Sequence, residues 1–321
     1  MPTEQLPNRL TGLHHITLTT GTAQGDVDFF VKLLGLRLVK RTLLYDGGEP
    51  IYHLYFGNYA GEPGTLTTTF PMRRLGRKGR VGAGQISAIS YTAPKGSLDW
   101  WRDHLGKGGV EPRREERFGE HLLSFAHPDC GIGFEIIEST KPAFESYAGP
   151  YVPKAYALQG FHSWSGTVNE FEDMDDFLIH SWSMRPVGKD GAYTRYEMGA
   201  GGPSRIFDLR HKPDMRQGSW YYAEGIVHHA AFDIPDLDGQ MALKFDIEGQ
   251  GYTDISDRKH RGYFESVYTR TPGGMLFEAA KSIGMQADEK LDELGTHLMI
   301  SPQFQDKVPE LLARMNDPIN L

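Results

Sequence analysis

Cysteine, long apolar runs and excess positive charge are all missing from this chain of 321 residues, and each absence excludes a class of protein. The single cysteine, Cys130, cannot form an internal disulfide, which is typical of a reducing compartment. No run approaches about 18 apolar residues, and the opening MPTEQLPNRL lacks the apolar core of a secretory signal. We therefore expect a cytoplasmic protein with no membrane partner.

The charge balance argues against a nucleic-acid partner. Acidic residues number 42 against 34 Lys and Arg, which gives a formal net charge of −8 at pH 7. The densest basic stretch, MRRLGRKGR from Met72 to Arg80, is more typical of a solvated linker than of a phosphate-binding surface. We expect no nucleic-acid partner, and the sequence leaves open whether the chain forms a homo-oligomer.

The same order of segments recurs four times along the chain. Each repeat begins with a glycine and an alternating stretch, continues with an amphipathic stretch, and ends in three short runs separated by Gly and Pro. The four beginnings are GLHHITLTT at Gly12, GQISAISYTA at Gly84, GFHSWSGTV at Gly160 and GIVHHAAFDI at Gly225. The repetition predicts four βαβββ modules and an α+β fold.

Apolar residues at helical spacing mark the helix of each module. In the fourth module these residues are Leu237, Met241 and Phe245, which are predicted to form the buried face of its helix.

One module alone would leave a curved sheet with unpaired edges, so the modules are expected to pair into open barrels. Four modules make two such barrels. Along the chain we predict two modules in residues 8–145, two modules in residues 155–282, and a helical tail over residues 283–321.

Two His-His pairs occupy the same position in two different modules. They are His14-His15 in the first module and His228-His229 in the fourth, aligned with a one-residue shift. Because neighbouring strand residues point to opposite faces, only the second of each pair is expected to enter the cavity directly. Glu278 lies in the last strand of the fourth module, one module length after His229.

The middle modules carry Ser87 and Ser163 where the outer modules carry these histidines. We therefore predict that the first module pairs with the fourth around a metal held by His15, His229 and Glu278, and that the other two modules form a metal-free barrel. Two neutral imidazoles and one carboxylate leave about three open coordination positions and favour Fe(II), although Mn(II) or Zn(II) would tolerate these ligands. The alternative is that the histidines are core or capping residues and that Glu278 is an ordinary strand residue.

The stretches LHHITL, IVHHAAF and RGYFESVYTRTPGGMLFEAA (Arg261 to Ala280) resemble the vicinal oxygen chelate superfamily, the fold of glyoxalases and extradiol dioxygenases. More narrowly, nearly the whole chain is similar to the hydroquinone and chlorohydroquinone 1,2-dioxygenases. The resemblance implies a ring-cleaving dioxygenase with Fe(II) as its cofactor. Its substrates would be dioxygen and a small aromatic diol, a hydroquinone or substituted hydroquinone, opened beside a hydroxyl-bearing carbon.

The resemblance also implies further catalytic residues, namely His14, Thr17, His228, Arg261 and Tyr268. By strict alternation His14 and His228 point away from the cavity; they contact substrate if the strand starts irregularly, and otherwise orient the ligands from behind. Arg261 is expected either to bind a phenolate or to belong to a basic surface turn. Tyr268 is expected either to donate a hydrogen bond or proton, or to fill the core.

Other functions of this fold stay open, namely an extradiol catechol dioxygenase, a glyoxalase-like metal isomerase, and a non-enzymatic protein that binds aromatic compounds. Isomerases of the fold often have a fourth protein ligand, and Thr68, whose hydroxyl is a poor ligand, stands at that position. A binding protein can dispense with the metal, whereas this chain has all three candidate ligands. The ligand set therefore favours oxygenase chemistry.

Overall fold

The structure is a computed structural model that describes residues 6–45, 48–141, 144–300, 302–315 and 318–320. Within these ranges the chain forms 16 strands and five α-helices. The strands are β1 Gly12–Thr20, β2 Arg37–Leu44, β3 Ile51–Gly57, β4 Leu66–Pro71, β5 Gln85–Pro94, β6 Arg113–Arg117, β7 Glu120–Ala126, β8 Gly133–Ser139, β9 Phe161–Val168, β10 Met184–Asp190, β11 Tyr193–Met198, β12 Ile206–His211, β13 Ile226–Asp233, β14 Lys259–His260, β15 Phe264–Arg270 and β16 Leu276–Ser282.

Short helices connect the first and second strands of the modules. None of the helices in the described ranges is long and apolar enough to cross a membrane. The α-helices are α1 Ala23–Asp26, α2 Leu98–Lys107, α3 Glu172–Asp176, α4 Leu237–Gly249 and α5 Val308–Arg314. π-Helical turns over Val27–Leu33 and Phe177–Ser181 extend α1 and α3, and 3₁₀ turns cover Arg73–Leu75, Met285–Ala287 and Pro302–Lys307.

The strands form two eight-stranded sheets, each built from two modules. The outer-module sheet has the order β14-β15-β16-β13-β1-β4-β3-β2 and joins the fourth module to the first. The inner-module sheet has the order β10-β11-β12-β9-β5-β8-β7-β6 and joins the third module to the second. The predicted α+β fold of four βαβββ modules in two open barrels is confirmed, with the pairing that the histidine positions predicted. The division of the chain into 8–145, 155–282 and 283–321 stays a prediction.

One continuous apolar core extends across both sheets. The ring centroids of Trp164 in β9 and Phe232 in β13 lie 5.4 Å apart, and those of Phe207 in β12 and Phe277 in β16 lie 6.2 Å apart. Aromatic rings at these separations attract each other in addition to burying apolar area. These contacts pack β9 and β12 of the inner-module sheet against β13 and β16 of the outer-module sheet. β13 and β16 carry two of the three candidate ligands, His229 and Glu278.

The predicted buried face of α4 is wrong. Leu237 and Phe245 are 38% and 60% exposed, whereas Gln240 is fully buried. The Gln240 amide donates hydrogen bonds to the backbone carbonyls of Glu265 and Ala279, at 2.7 and 2.8 Å. A polar side chain that hydrogen-bonds to the sheet gives no apolar signal, so hydrophobic spacing alone selected the wrong face.

Candidate metal centre

A β-bulge interrupts the alternation of each central strand, one residue before the position of the candidate ligands. In the outer-module sheet the extra residues are His14 in β1 and His228 in β13, since the register shifts at both. In the inner-module sheet they are Ser87 in β5 and His162 in β9. A bulge turns two neighbouring side chains toward the same side of the sheet. Both members of each His-His pair can therefore lie on the same side of the sheet.

The register also corrects one predicted equivalence. His15 and His229 are each two residues before the partner of a last-strand residue, because Thr17 pairs with Thr68 and Ala231 pairs with Glu278. In the inner-module sheet Ser90 pairs with Glu135, and Ser165 pairs with Asp208. The residues two positions earlier, Ala88 in β5 and Ser163 in β9, therefore occupy the ligand positions. The assignment of Ser87 to the ligand position is wrong, because Ser87 is the extra residue of the bulge.

Three donor atoms converge between β1, β13 and β16. His229 Nε2 lies 3.1 Å from His15 Nε2 and 2.8 Å from Glu278 Oε2, and His15 Nε2 lies 3.6 Å from the same oxygen. All three residues are buried, and no other group of at least three His, Cys, Asp or Glu in the described ranges gathers its donor atoms in this way. Adjacent ligand atoms on an octahedron with bonds of about 2.1 Å lie about 3 Å apart, so the spacing suits one octahedral face. We call these residues the candidate triad.

Burial keeps the imidazoles of this centre neutral. Desolvation lowers the pKa of His229 to about 3 and holds the pKa of His15 well below its usual value, although the Glu278 charge raises the latter. Desolvation likewise lowers the pKa of His14 to about 4. A neutral imidazole is the form that binds a metal ion, so the protein holds its histidines in the ligating state near neutral pH.

The first histidine of each pair contacts the second through Nδ1. His14 Nδ1 lies 3.0 Å from His15 Nδ1, and His14 Nε2 lies 2.6 Å from the Ser282 hydroxyl. His228 Nδ1 lies 2.6 Å from His229 Nδ1. These contacts engage Nδ1 of His15 and His229 and leave the Nε2 atom of each facing Glu278 Oε2. His14 is fully buried behind His15, whereas His228 is partly exposed.

Thr17 lies at the candidate triad, as its shared strand face with His15 predicted. Its hydroxyl is 2.9 Å from His229 Nε2 and 2.7 Å from the Thr68 hydroxyl. Thr68 in turn lies 3.1 Å from His53 Nε2 in β3, which the sequence analysis did not single out. Tyr55 is the partner of Thr68 across β3 and β4, and His53, two residues earlier in IYHLYFG, lies on the same face by strand alternation.

Tyr268 and Arg261 lie together beside the triad. Arg261 Nε donates a 3.2 Å hydrogen bond to the Tyr268 hydroxyl, and the Tyr268 and His229 rings have centroids 5.7 Å apart. Burial, reinforced by the Glu278 charge, raises the pKa of Tyr268 above its usual value although Arg261 lowers it. Tyr268 is therefore protonated near neutral pH and can donate a hydrogen bond. Arg261 is both exposed and adjacent to the site.

Aromatic side chains pack around the partly exposed His228. The Tyr222 ring stacks on His228 with centroids 4.1 Å apart, and Phe70 packs against both at 6.1 and 6.2 Å. Tyr222 belongs to an exposed run that also contains Trp220 and Tyr221. The run follows no module pattern in the sequence, so its place beside the site came only from the structure.

Comparison with known proteins agrees with this architecture, although no family model matches the chain. The chain is 58% identical over 317 residues to the chlorohydroquinone/hydroquinone 1,2-dioxygenase of Sphingobium indicum, covering 98% of the chain and 99% of the relative. It is 34% identical to MhqO of Bacillus subtilis, assigned as a ring-cleaving dioxygenase, over 94% of each protein.

Solved structures show the same fold. A Bacillus subtilis protein assigned as a dioxygenase superposes with a TM-score of 0.89 at 32% identity, covering 98% of the chain and 99% of the relative. Glyoxalase I of Zea mays, at 14% identity and a TM-score of 0.59 over 95% of the chain and 96% of the relative, shares the fold alone. The resemblance found in the sequence is confirmed, and the chain belongs to the ring-cleaving dioxygenases of the vicinal oxygen chelate superfamily.

Proposed function

We propose that the protein is an Fe(II)-dependent dioxygenase that opens the ring of a hydroquinone or substituted hydroquinone beside a hydroxyl-bearing carbon. The observation that carries the proposal is the 58% identity to a chlorohydroquinone/hydroquinone 1,2-dioxygenase over nearly the whole chain, combined with a buried His-His-Glu triad. Its substrates are then an aromatic diol and dioxygen.

The residues of the candidate triad fit a divalent metal. Glu278 Oε2 is buried and has no hydrogen-bond donor in the described part of the chain, and such an atom is costly without a cation or donor. Two imidazoles and one carboxylate with open positions are the donor set of non-haem Fe(II) oxygenases. When bound, the metal supplies Lewis acidity that favours a deprotonated substrate hydroxyl and brings the diol and dioxygen together.

Thr68 supports oxygenase over isomerase chemistry. It stands beside Thr17 at the position equivalent to Glu278, and its hydroxyl is hydrogen-bonded to Thr17 and His53. A neutral hydroxyl engaged in this way is a poor fourth ligand, so the triad keeps its open positions for exogenous molecules.

Tyr268 and Arg261 suit the handling of protons and negative charge on substrate. Because Arg261 donates to the Tyr268 oxygen, the Tyr268 proton is free to point at a substrate oxygen. Hydroxyls in para positions cannot both reach one metal ion, so a hydroquinone needs a protein partner for its second hydroxyl. The Tyr222 ring, which stacks on His228, and the Phe70 ring packed against both offer an apolar surface for the substrate ring.

Oxygen uptake by the reconstituted protein tests this proposal. Protein purified without oxygen is loaded with Fe(II) and mixed in air with hydroquinone or with catechol. We expect uptake and a product heavier by two oxygen atoms, faster with hydroquinone; faster uptake with catechol would favour the extradiol alternative. No uptake with either diphenol, at one iron per chain, would contradict the dioxygenase assignment.

A Glu278→Gln variant tests the metal ligands. We expect the affinity for Fe(II) to fall by at least about 100-fold, because removing a ligand should cost at least as much as removing a residue that orients one. Glu265→Gln, on the neighbouring strand and paired with the surface residue His260, is the matched control. Full iron content in Glu278→Gln, by metal analysis, would exclude Glu278 as a ligand.

A further inference from the structure

A chain of polar side chains runs from β3 to the candidate triad. The Tyr55 hydroxyl lies 2.9 Å from His53 Nδ1, and His53 Nε2 lies 3.1 Å from the Thr68 hydroxyl. The Thr68 hydroxyl lies 2.7 Å from that of Thr17, which lies 2.9 Å from His229 Nε2. Tyr55, Thr68 and Thr17 are fully buried, so water does not substitute for these contacts.

One direction of donation along this series of hydrogen bonds leaves no buried hydroxyl proton without an acceptor, and it starts from Tyr55. The buried Tyr55 hydroxyl has His53 Nδ1 as its partner among the described residues, and a phenol there is the donor. In this direction His53 carries its proton on Nε2 and donates to Thr68. Since Thr68 accepts from His53, it donates to Thr17, and Thr17 directs its own proton toward His229 Nε2.

The last hydrogen bond of this series, from Thr17 to His229, is lost when a metal binds the candidate triad. His229 Nε2 has a single lone pair, and metal binding uses it, so this nitrogen can then no longer accept the Thr17 proton. Because Thr68 still donates to the Thr17 oxygen, the Thr17 proton cannot turn toward Thr68. The Thr17 hydroxyl is therefore available to donate to another acceptor beside the triad.

We propose that Tyr55, His53 and Thr68 are positioning residues that aim the Thr17 hydroxyl, as a hydrogen-bond donor, at a phenolic oxygen of the bound diol. This inference rests on the proposed function for the identity of the acceptor. The direction of the hydrogen bonds does not depend on it.

Thr69 shows that a threonine of β4 does not acquire such partners by default. It follows Thr68 in the strand and is fully buried, but its hydroxyl has no hydrogen-bond partner among the described residues. Thr69→Val is therefore a matched control for Thr68→Val, since both changes exchange a buried hydroxyl for a methyl group in neighbouring positions.

The tautomer of His53 tests the direction of the chain. Protein labelled with ¹⁵N at histidine is examined by long-range ¹H–¹⁵N NMR, alone and with Zn(II) added. We expect the Nε2–H tautomer at His53, and loss of this preference in Tyr55→Phe. An Nδ1–H tautomer would overturn the inference while leaving the dioxygenase assignment untouched.

Diol affinity tests the aim of Thr17. Hydroquinone is titrated without oxygen into Fe(II)-loaded protein, with catechol as a second probe. We expect His53→Leu, Thr68→Val and Thr17→Val each to weaken diol binding by about tenfold, the loss of one hydrogen bond to a charged oxygen. Iron content and Fe(II) affinity should stay within about twofold of the unmodified protein, as should diol binding in Thr69→Val.

A double variant separates positioning from local structural damage. In a Thr17→Val background, we expect His53→Leu to cause no further loss of diol affinity, because the donor that His53 positions is already gone. An equal loss in both backgrounds, or a loss of iron in His53→Leu, would overturn the inference. Failure of the unmodified protein to take up oxygen would instead count against the proposed function, whatever the His53 tautomer.

Discussion

The two sheets have the same topology but treat buried carboxylates in opposite ways. In the inner-module sheet Glu135 and Asp208 occupy the positions of Glu278 and Thr68 in the outer-module sheet. Arg117 contacts both of them. Its two terminal nitrogens lie 2.9 and 2.6 Å from the Glu135 oxygens, and its Nε lies 3.2 Å from Asp208.

A second guanidinium completes this cluster. Arg195 Nε lies 2.8 Å from Asp208, and another of its nitrogens lies 2.6 Å from Glu120. Arg117 and Arg195 are 5% and 7% exposed. Two planar cations therefore occupy the space between the carboxylates, and the cluster needs no metal.

The carboxylate of the outer-module sheet has no such partner. The basic side chains in contact with Glu278 in the described ranges are His15 and His229. Burial lowers the pKa of both imidazoles and keeps them neutral. Its neighbour Ser266 donates one hydrogen bond but no charge. A buried carboxylate without a balancing cation favours binding of one, which supports the proposed metal centre. The comparison teaches that the fold offers equivalent sites in its two sheets. Arginine balances the carboxylates of the inner-module site, whereas the carboxylate of the outer-module site is left to bind a metal ion.

The largest expected effect comes from removing a guanidinium of the inner-module cluster. Arg117→Met leaves Glu135 buried without its main partner, which should lower the free energy of unfolding by about 3–5 kcal/mol. Urea unfolding measures the change. Arg102→Met is the control, because Arg102 is 51% exposed and pairs with surface aspartates; its cost should stay below about 1 kcal/mol. Equal stabilities of the two variants would contradict the balance described for the inner-module sheet.

The bulge histidines offer a sharper comparison of the two sheets. His14→Phe removes the group that contacts His15 Nδ1 and should weaken metal affinity by about tenfold. His162 occupies the equivalent bulge of β9, so His162→Phe should leave metal affinity unchanged. Competition with a chelator measures both. A loss of affinity in His162→Phe of the same size would remove the distinction between the sheets.

The smallest expected effect concerns Glu120 and its dependence on pH. Burial alone would raise the pKa of Glu120, but contacts with His162 and Arg195 outweigh burial and lower it to about 2, from 4.5. A lowered carboxylate pKa stabilises the fold above about 4.5, and this stabilisation is lost as pH falls toward about 2.

Glu120→Gln should therefore cost about 1 kcal/mol near pH 7, a value reduced for screening because the side chain is 28% exposed. The cost should shrink near pH 3, because the carboxylate of the unfolded chain is then largely protonated while that of the native protein still holds its charge. Urea unfolding at both pH values checks this, with the exposed Glu116→Gln as control. A cost that is the same at both pH values would show that the charge of Glu120 does not cause it.

The sequence was informative wherever local pattern and repeat position carry the signal. Strand alternation and the recurring glycines predicted four modules, and the uneven distribution of His-His pairs predicted which modules pair. The same reasoning assigned Ser87 wrongly, because a bulge shifts the register by one residue without changing the residue types. It also selected the wrong face of α4, where Gln240 bonds to the sheet.

By itself, the sequence determined the modules, the α+β class and the convergence of His15, His229 and Glu278, because these follow from periodicity and from equivalent positions in paired repeats. Only the tertiary structure decided that His14 contacts His15 and that His53 reaches Thr68. These contacts depend on bulges and on cross-strand neighbours, which bring together residues that no local spacing relates. The physical reason is that register, rather than residue type, decides which side chains meet across a sheet.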